Sequence, residues 1–474
     1  MLAQINQHYI GGAWQASAGS NTLILENPVN GEEYLEIILA DERLVDQAVA
    51  AAKQAQILWG ETSTAQRAEY ITKIADELEA RREQLIDALS LELGCPKWFV
   101  TEVQVDDPID ALRKHVRWTL DLTNTDKHDE RLEVLKEPIG VSAIITPWNY
   151  PLHQLIAKIA PALAAGCTLV VKPSEYTPKT AIILAQAIEA SGLPAGVFNL
   201  VVGTGADIGD ALTTHPDVRC VSFTGSTKVG VHIQQQAAQS VKRVLLELGG
   251  KSAFLIDKTN NLQQAVELGV EDVLVNSGQT CVALTRMLVH ESQYQQACEI
   301  AKQYAESAAI SADLSSDALL GPVINRTQFE RVLAYIELGQ SEGASLLCGG
   351  KSTLAEQTKG FFIGPTIFAN VDNSMRIAQE EIFGPVLCLI PYQDTEHAIA
   401  IANDTPFGLS ARVWADDKSK AKDIAKQIEA GQVYINDAMW HNAAPFGGYK
   451  QSGNGRELGS QAINEFLESK SVIF

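Results

Sequence analysis

Hydrophobic positions along the chain predict helices first and alternating strands and helices later. Between about residues 40 and 120, apolar residues recur at spacings of three and four, as in "DERLVDQAVAAAKQAQ" and "RAEYITKIADELEARREQLIDALSLELG". This spacing gives each helix one apolar face and predicts amphipathic helices. Gly94 follows the last periodic position and predicts a helix end. The stretch "RLEVLKEPIG" alternates with a period of two and predicts an exposed strand.

From about residue 139, short apolar strands alternate with helices. The strands "IGVSAIITP", "CTLVVKP", "VFNLVVG" and "RCVSFTG" precede helices predicted near 152, 178, 206 and 226, and "RVLLELGG" follows as another strand. This alternation predicts a doubly wound parallel sheet with crossover helices. A second alternating region, at about 262–440, contains the strands "ALTRMLVH", "VLCLIPY" and "GQVYIN" and the helix "EHAIAIANDT". The sequence therefore predicts two α/β domains with a cleft between them.

Composition narrows the class of ligand. The chain has 474 residues, too many for one ordinary core, and its 46% hydrophobic and 20% charged residues are typical of globular proteins. A formal charge of −21 disfavours nucleic acid and anionic membranes as partners, so we expect a small-molecule ligand. The N-terminal "MLAQINQHYIGGAW" lacks a secretory pattern. The stretch "LIAKIAPALAAGCTLVV" carries Lys158, Pro161 and Gly166, and predicts a buried helix followed by a buried strand instead of a membrane span.

The seven cysteines are widely scattered and include no CxxC pair. This pattern predicts neither a disulfide framework nor a zinc site, so we expect no metal and a reducing, cytoplasmic compartment. Cys281 lies among small and polar residues in "NSGQTCVALTR". Taken alone, this stretch fits either a buried structural cysteine or a reactive thiol.

Two glycine-bearing turns follow predicted strands. In "VVGTGADIG", Gly203, Gly205 and Gly209 approximate a dinucleotide fingerprint, but the last interval is one residue too long. A plain strand-to-helix turn explains this loop equally well. In "FTGSTKVG", Ser226 and Thr227 stand at a helix start, where free backbone N–H groups and the helix dipole favour a phosphate.

Polar residues also follow three other strands. Lys172 and Glu175 in "VVKPSEYTP" stand at a carboxyl end, where open α/β sheets bind ligands, although a surface ion pair is an alternative. In "TPWNYP", Trp148 and Asn149 lie between prolines, and the Asn149 amide can donate to an oxyanion or form an Asx turn. Glu247 in "LELGGK" is either a general base with a raised pKa or an exposed strand end.

Together these motifs resemble the aldehyde dehydrogenase superfamily, in its NAD(P)-dependent, non-CoA-acylating type. The resemblance covers essentially the whole chain. The matching segments are "ELGGK" (247–251), "GQTCVALTR" (278–286), "PWN" (147–149), "KPSE" (172–175), "FTGST" (223–227), "EEIFGP" (380–385), "NDTPFGLS" (403–410) and "PFGGYKQSGNGRE" (445–457). The resemblance implies oxidation of an aldehyde to a carboxylic acid.

The resemblance also implies a role for each catalytic residue. Cys281 is expected to be the nucleophile that forms a thiohemiacetal and then a thioester, because a thiolate attacks readily and leaves again. Asn149 and the Cys281 backbone N–H are expected to bind the oxyanion, and Glu247 to activate the hydrolytic water. Lys158 and Glu457 match positions associated with the site and its proton path, and a structural ion pair would explain both equally well.

The cofactor implied by the resemblance is NAD, with NADP possible. Lys172 and Glu175 match contacts to the adenosine ribose, and the acid would repel the 2′-phosphate of NADP. In this family "FTGST", and not the first glycine turn, meets the pyrophosphate. The other cofactor-binding positions are Thr146, Trp148, Ser174, Gly205, Gly225, Ser226, Gly230, Leu248, Glu381 and Phe383.

The expected substrate pocket mixes aromatic and polar side chains, which suits medium-length aliphatic or aromatic aldehydes. It has no lysine or arginine for a substrate carboxylate, which disfavours semialdehydes. It also has no cage of acids and aromatics for the quaternary ammonium of betaine aldehyde. Its members are Tyr150, Gln154, Thr280, Val282, Met439, Trp440 and Phe446.

The implied fold is the aldehyde dehydrogenase fold. A Rossmann-like NAD-binding domain is expected at 1–118 and 139–249, an α/β catalytic domain at 250–445, and a small β oligomerisation element at 119–138 and 446–474. The tail "NEFLESKSVIF" ends as an apolar strand that a monomer would leave unpaired, so we expect a homodimer or homotetramer.

Two other functions remain open from the sequence. A CoA-acylating dehydrogenase would pass the acyl group to a thiol, but such relatives generally lack the base at the Glu247 position. A catalytically silent structural protein is the second alternative, and it would not need Cys281, Glu247 and Asn149 together.

Overall fold

The structure is a computed structural model that describes residues 2–17 and 21–474. Its strands are β1 (Ala3–Ile5), β2 (Gln7–Ile10), β3 (Ala13–Ala16), β4 (Thr22–Glu26), β5 (Glu33–Ile38), β6 (Thr125–Asp129), β7 (Leu132–Pro138), β8 (Ser142–Ile145), β9 (Leu169–Lys172), β10 (Phe198–Leu200), β11 (Cys220–Thr224), β12 (Arg243–Glu247), β13 (Ala253–Ile256), β14 (Arg286–His290), β15 (Ser345–Lys351), β16 (Ile363–Ala369), β17 (Val386–Tyr392), β18 (Phe407–Gly408), β19 (Ser410–Trp414), β20 (Gln432–Ile435), β21 (Tyr449–Lys450), β22 (Gly453–Asn454) and β23 (Leu467–Ile473).

The helices lie mainly between these strands. They are α1 (Glu42–Trp59), α2 (Thr64–Ala80), α3 (Arg82–Leu93), α4 (Lys97–Phe99), α5 (Asp107–Leu120), α6 (Pro151–Ala165), α7 (Pro178–Ala190), α8 (Gly205–Thr214), α9 (Thr227–Ala238), α10 (Leu262–Leu274), α11 (Glu291–Ser307), α12 (Arg326–Ser341), α13 (Thr353–Thr358), α14 (Arg376–Gln379), α15 (Thr395–Asn403) and α16 (Lys418–Ala425). A π-helix at Val100–Asp106 joins α4 to α5, and a 3₁₀ helix occupies Ser460–Phe466.

The first large sheet has eight strands in the order β22-β12-β11-β8-β9-β10-β2-β3. The five central strands pair in parallel, and they are β12, β11, β8, β9 and β10. The helices α6, α7, α8 and α9 begin within one residue of their predicted starts. The predicted doubly wound sheet is therefore confirmed, and its parallel strands end at one common edge.

The most apolar stretch of the chain forms α6 and β9. Proline occupies the first position of α6, where its missing N–H costs nothing, and Gly166 ends the helix with a left-handed φ of 91°. Both elements are buried almost throughout. The predicted buried helix and strand are confirmed, and no helix in residues 2–17 and 21–474 is long and apolar enough to cross a membrane.

The second large sheet has seven strands in the order β15-β16-β17-β14-β13-β19-β20, parallel except for the antiparallel β15–β16 pair. Segment 248–252 connects β12 of the first sheet to β13 of the second. The chain therefore crosses between the two sheets directly after Glu247. This crossing determines where the functional residues meet.

A third sheet, β23-β7-β6, pairs the C-terminal strand antiparallel with β7, with Lys470 opposite Leu135. β7 is the strand predicted from period-two alternation. At the end of β23, Ile473 and Phe474 are 75% and 68% exposed. Periodicity did not predict β1 to β5, because strands of three to six residues are too short to show a clear period.

Candidate active site

The site is built where β12 ends. Glu247 is the last residue of this strand and is buried, with 3% of its surface exposed. A Cβ on Gly250 would lie 2.5 Å from the carbonyl oxygen of Cys281. Only glycine permits this approach, because real Cβ contacts are not that short. The "ELGGK" motif therefore brings the strand end and the cysteine segment against each other.

A tight left-handed turn precedes Cys281. Asn276, Ser277 and Gly278 have φ values of 53°, 54° and 73°. Among the seven free cysteines, Cys281 and Cys348 are partly exposed and the other five are buried. Cys281 is therefore one of two cysteines that a small molecule can reach without a change in the fold.

Asn149 lies beside the cysteine turn. Its Nδ2 donates to the backbone carbonyl of Gln279 at 2.9 Å. The backbone carbonyl of Asn149 accepts from Gln104 Nε2 at 2.9 Å and from Asn276 Nδ2 at 3.0 Å. An amide nitrogen carries two hydrogens, so one remains for a ligand. Gln104 comes from the π-helix, an element that often marks functional sites and that hydrophobic spacing does not predict.

The Glu247 carboxylate has no hydrogen-bond partner on either oxygen among the described residues. Burial raises the pKa of Glu247 well above its usual value, and the neighbouring Glu457 carboxylate adds to this rise. The cations Lys158 and Arg456 oppose it. A buried carboxyl group with free oxygens and a raised pKa is suited to accepting a proton near neutral pH.

Burial also raises the pKa of the Cys281 thiol, and the carboxylates of Glu381, Glu247 and Glu457 raise it further. These groups disfavour the thiolate, so the cysteine is mainly a thiol at neutral pH. Because the thiolate is the reactive form, a nearby proton acceptor is needed.

Lys158 and Glu457 are in direct contact although they are 299 positions apart in the chain. Lys158 projects from α6 and is 1% exposed, while Glu457 follows β22 and is 8% exposed. The pair lies beside Glu247, whose pKa both residues affect. Within the described ranges, no three His, Cys, Asp or Glu side chains are grouped so as to hold a metal ion.

Lys172 and Glu175, the two residues predicted to contact a ribose, lie next to each other. Lys172 Nζ donates to the carbonyl oxygens of Pro173 at 3.0 Å and Gly203 at 2.9 Å, and lies 3.4 Å from Glu175 Oε2. Burial lowers the pKa of Lys172, and Glu175 opposes this shift. The lysine thus joins the first glycine turn to the "KPSE" turn, in which Ser174 Oγ accepts from a backbone N–H at 3.2 Å.

The second glycine turn begins α9. Ser226 caps this helix by accepting from Val229 N–H at 3.4 Å, and Gly225 N–H donates to the Glu247 carbonyl at 3.0 Å. A Cβ on Gly230 would lie 2.6 Å from Leu248 Cδ2. The start of α9 is therefore packed against the strand end that carries Glu247. Gly205 differs, because a Cβ there would meet nothing within 4 Å.

Four other predicted cofactor residues make separate contacts, and Glu381 among them reaches the segment that joins the two sheets. Glu381 Oε1 accepts from Gly250 N–H at 3.2 Å. The rings of Trp148 and Phe383 meet edge to face, with centroids 5.5 Å apart. Thr146 donates its backbone N–H to Lys172 at 3.2 Å, while its buried Oγ1 has no partner in the described structure.

The residues predicted to line the substrate pocket differ in their contacts and exposure. The hydroxyls of Tyr150 and Thr280 are 2.8 Å apart. Val282, Trp440 and Cys281 pack against a small buried cluster that includes Phe446. The remaining two residues differ from these. Gln154 is 6% exposed, and its Oε1 has no hydrogen-bond partner in residues 2–17 and 21–474, whereas Met439 is 82% exposed and so lies mainly in solvent.

Three further residues position Trp440, and the sequence did not predict them. Trp440 Nε1 donates to Asn442 Oδ1 at 2.5 Å, and Asn442 Nδ2 donates to Asp107 Oδ1 at 2.8 Å. The His153 ring lies 5.8 Å from Trp440, and its Nε2 is 3.6 Å from Asp107 Oδ2. Asp107 and Asn442 are 335 positions apart, so no local motif links them.

Comparison with known proteins identifies the family of the chain. The family model described as "Aldehyde dehydrogenase family" matches residues 14–472. A 3-succinoylsemialdehyde-pyridine dehydrogenase from a Pseudomonas species is 42% identical, with 100% of this chain and 99% of the relative covered. A cysteine-to-alanine mutant of aldehyde dehydrogenase C from Pseudomonas syringae, in complex with NAD+ and octanal, has a TM-score of 0.97 at 42% identity, covering 99% of this chain and 96% of that one. A Mycobacterium tuberculosis aldehyde dehydrogenase complexed with NAD+ has a TM-score of 0.96 at 38% identity, covering 100% and 99%.

Proposed function

The chain belongs to the aldehyde dehydrogenase family, and from this premise we propose that it oxidises an aldehyde to a carboxylic acid with NAD. The observation that carries the proposal is the close approach of Gly250 to the Cys281 carbonyl oxygen. The approach supports a nucleophilic role for Cys281, because Cys281 then lies beside the end of β12, which carries Glu247.

In the first step, the Cys281 thiol gives up its proton to a water molecule and its Sγ attacks the aldehyde carbon. The π bond of the carbonyl breaks, and its oxygen gains negative charge. The second hydrogen of Asn149 Nδ2 and the Cys281 backbone N–H stabilise that charge. Loss of one such donor typically costs about a hundredfold to a thousandfold in rate. Gln104 and Asn276 hold Asn149 from the opposite side through its backbone carbonyl.

The residues present suit a dinucleotide. The start of α9 offers free backbone N–H groups and the positive end of the helix dipole to a pyrophosphate. Because Gly230 has no side chain, α9 can pack closely against Leu248. Lys172 and Glu175 would hold a ribose through its hydroxyls, and the acid favours NAD over NADP. Glu381 would bind the second ribose. When bound, NAD supplies the hydride acceptor of the reaction.

The second half of the reaction is hydrolysis of the Cys281 thioester. Glu247 takes a proton from a water molecule, the oxygen adds to the thioester carbonyl, and the Cys281 thiolate leaves with the acid as product. The unpartnered Glu247 oxygens and their raised pKa support this role. Lys158 and Glu457 would carry the proton away from Glu247.

We propose medium-length aliphatic or aromatic aldehydes as substrates. Tyr150, Trp440 and Phe446 offer aromatic surface, and none of the predicted pocket residues carries a positive charge. The Pseudomonas syringae enzyme is bound to octanal, which supports an aliphatic substrate. The Pseudomonas relative is named for a pyridine-bearing semialdehyde, the class that the uncharged pocket residues of this chain disfavour.

We also propose the organisation of the whole protein. The NAD-binding domain comprises 1–118 and 139–249, the catalytic domain 250–445, and the bridging element 119–138 and 446–474. A partner subunit in a homodimer or homotetramer would cover the exposed Ile473 and Phe474 at the end of β23. A cytoplasmic location fits the free cysteines.

An aldehyde panel assayed with NAD and NADP tests the proposal. We expect NADH formation with octanal or an aromatic aldehyde, with NAD preferred. Cys281→Ala should abolish turnover and leave NAD binding close to wild type. The matched control is Cys348→Ala, because Cys348 is the other partly exposed cysteine. Iodoacetamide should modify Cys281 first.

The same assay separates the alternatives. Release of free acid without added CoA would exclude a CoA-acylating enzyme. NADH formation that requires CoA would contradict hydrolysis by Glu247. If no aldehyde in the panel gives NADH, the structural role becomes the better explanation.

A further inference from the structure

The turn that carries Cys281 needs support. Asn276 and Ser277 are left-handed residues with side chains, and Gly278 continues the same conformation. This region costs free energy for residues other than glycine, and it persists only where surrounding contacts hold it. Both side chains are buried, at 3% and 2% exposure, so the contacts that hold the turn lie inside the protein.

Asn276 is the central residue of those contacts. Its Nδ2 donates to the backbone carbonyls of Asn149 at 3.0 Å and Gln279 at 3.3 Å. Because a carbonyl can only accept, the amide orientation is fixed, and Oδ1 must face the other way. There it lies 3.1 Å from Cys95 Sγ. An amide oxygen cannot donate, so the Cys95 thiol is the donor.

Cys95 is suited to remain a donor. It directly follows Gly94, the left-handed residue that ends α3, and is 2% exposed. Burial raises the pKa of Cys95 to about 12, so its proton stays on sulfur at neutral pH.

Ser277, the next residue of the turn, is also held by contacts near the end of α3. Ser277 Oγ donates to the Gly321 carbonyl at 2.8 Å, and a Cβ on Gly321 would lie 2.3 Å from the Gly94 carbonyl oxygen. The end of α3 therefore supports both strained residues, one through Cys95 and one through Gly321.

We propose that Cys95 is a positioning residue for the oxyanion site. Its hydrogen bond holds Asn276, and Asn276 sets the spacing between the Asn149 segment and the turn that carries Cys281. The inference rests on the proposed function, since it assigns Asn149 and Cys281 to one oxyanion site. It adds a residue that touches neither substrate nor cofactor.

The experiment compares Cys95→Ala with Cys95→Ser. The two replacements are nearly equal in size and differ by one hydroxyl group, so packing loss is the same and only the donor differs. Cys167→Ala is the matched control. Cys167 is fully buried, donates to the Phe466 carbonyl at 3.3 Å, and lies before the amino end of β9, at the sheet edge opposite Lys172.

We expect Cys95→Ala to slow the first turnover of NADH formation about tenfold, with the KM for NAD unchanged. Cys95→Ser should stay within about threefold of wild type, and Cys167→Ala should match wild type in rate. Amide hydrogen exchange of a peptide covering 276–281 should quicken about fivefold in Cys95→Ala and not in Cys95→Ser.

Equal rates and equal exchange in the alanine and serine variants would overturn the proposal, whether both are active or both impaired. A wild-type protein that forms no NADH would instead refute the proposed function. Hydrogen exchange would still decide in that case whether Cys95 holds the turn.

Discussion

Gly250 and Cys281 are in backbone contact across the two large sheets. A side chain on Gly250 would meet the Cys281 carbonyl oxygen at 2.5 Å, and its Cβ would also lie 3.3 Å from Leu409 Cβ. Backbone cannot move aside as a flexible side chain can. The position of Cys281 therefore depends on the absence of one methyl group in the "ELGGK" segment.

Gly250→Ala should accordingly displace Cys281. We expect kcat to fall at least tenfold, since displacements of about 1 Å at a reacting group can cost on the order of a hundredfold in rate. Steady-state kinetics on a folded variant, verified by circular dichroism, measures this. Gly209→Ala is the control, because Gly209 lies within α8 and a Cβ there meets nothing within 4 Å. A fully active Gly250→Ala enzyme would contradict the proposed contact.

Cofactor preference should depend on Glu175. Glu175→Gln removes the negative charge that would repel a 2′-phosphate, so kcat/KM for NADP relative to NAD should rise roughly fivefold to tenfold. Initial rates with both cofactors at one ionic strength measure the ratio. Glu42→Gln makes the same charge change at an exposed position on α1 and should leave the ratio unaltered. An unchanged ratio in Glu175→Gln would place the carboxylate away from the ribose.

Acid should destabilise the fold through His115. Burial lowers the pKa of His115 to about 3 from 6.5, so the unfolded chain binds this proton more readily than the folded one. The contribution of neutral His115 to the free energy of unfolding is therefore fully present above pH 6.5. It decreases as the pH drops toward 3, and about 2 kcal/mol is lost by pH 5. Thermal unfolding at pH 7 and pH 5 measures the loss. His115→Leu should reduce it, whereas the exposed His128→Leu should not.

The sequence predicted the parallel sheet and its helices, which the structure confirms, because each depends on a local pattern. The catalytic residues, proposed from equally local motifs, stay predictions. β12 runs into "ELGGK", and "GQTC" precedes Val282, so each motif could be recognised within a few residues. The structure then showed the contact between these two segments, which depends on Gly250.

The residues that hold Asn149 and the turn before Cys281 in position could not be predicted in the same way. Gln104 reaches Asn149 from a π-helix, whose single-residue insertion disrupts the spacing on which periodicity relies. Cys95 meets Asn276 across 181 positions. Such contacts form only when the chain is packed, and a single sequence carries no sign of them.

The two chemical steps should separate in Glu247→Gln. Glutamine keeps the size of the side chain but cannot accept a proton from water, so thioester hydrolysis should slow more than hydride transfer. The variant should give a rapid burst of NADH approaching one per active site, then slow turnover, with an acyl group on Cys281. Stopped-flow NADH fluorescence and intact-protein mass spectrometry measure both.

Electrostatics favours survival of the burst. The Glu247 carboxylate is one of the charges that raise the pKa of Cys281, so its removal makes the thiol easier to ionise. In the wild type, hydrolysis should speed up as the pH rises through the raised pKa of Glu247, because only the ionised carboxylate accepts a proton. That dependence should disappear in Glu247→Gln. If the burst of NADH also disappears in Glu247→Gln, Glu247 is also the base that deprotonates the Cys281 thiol. If the variant turns over at a near-normal rate without an acyl adduct, Glu247 has no part in catalysis.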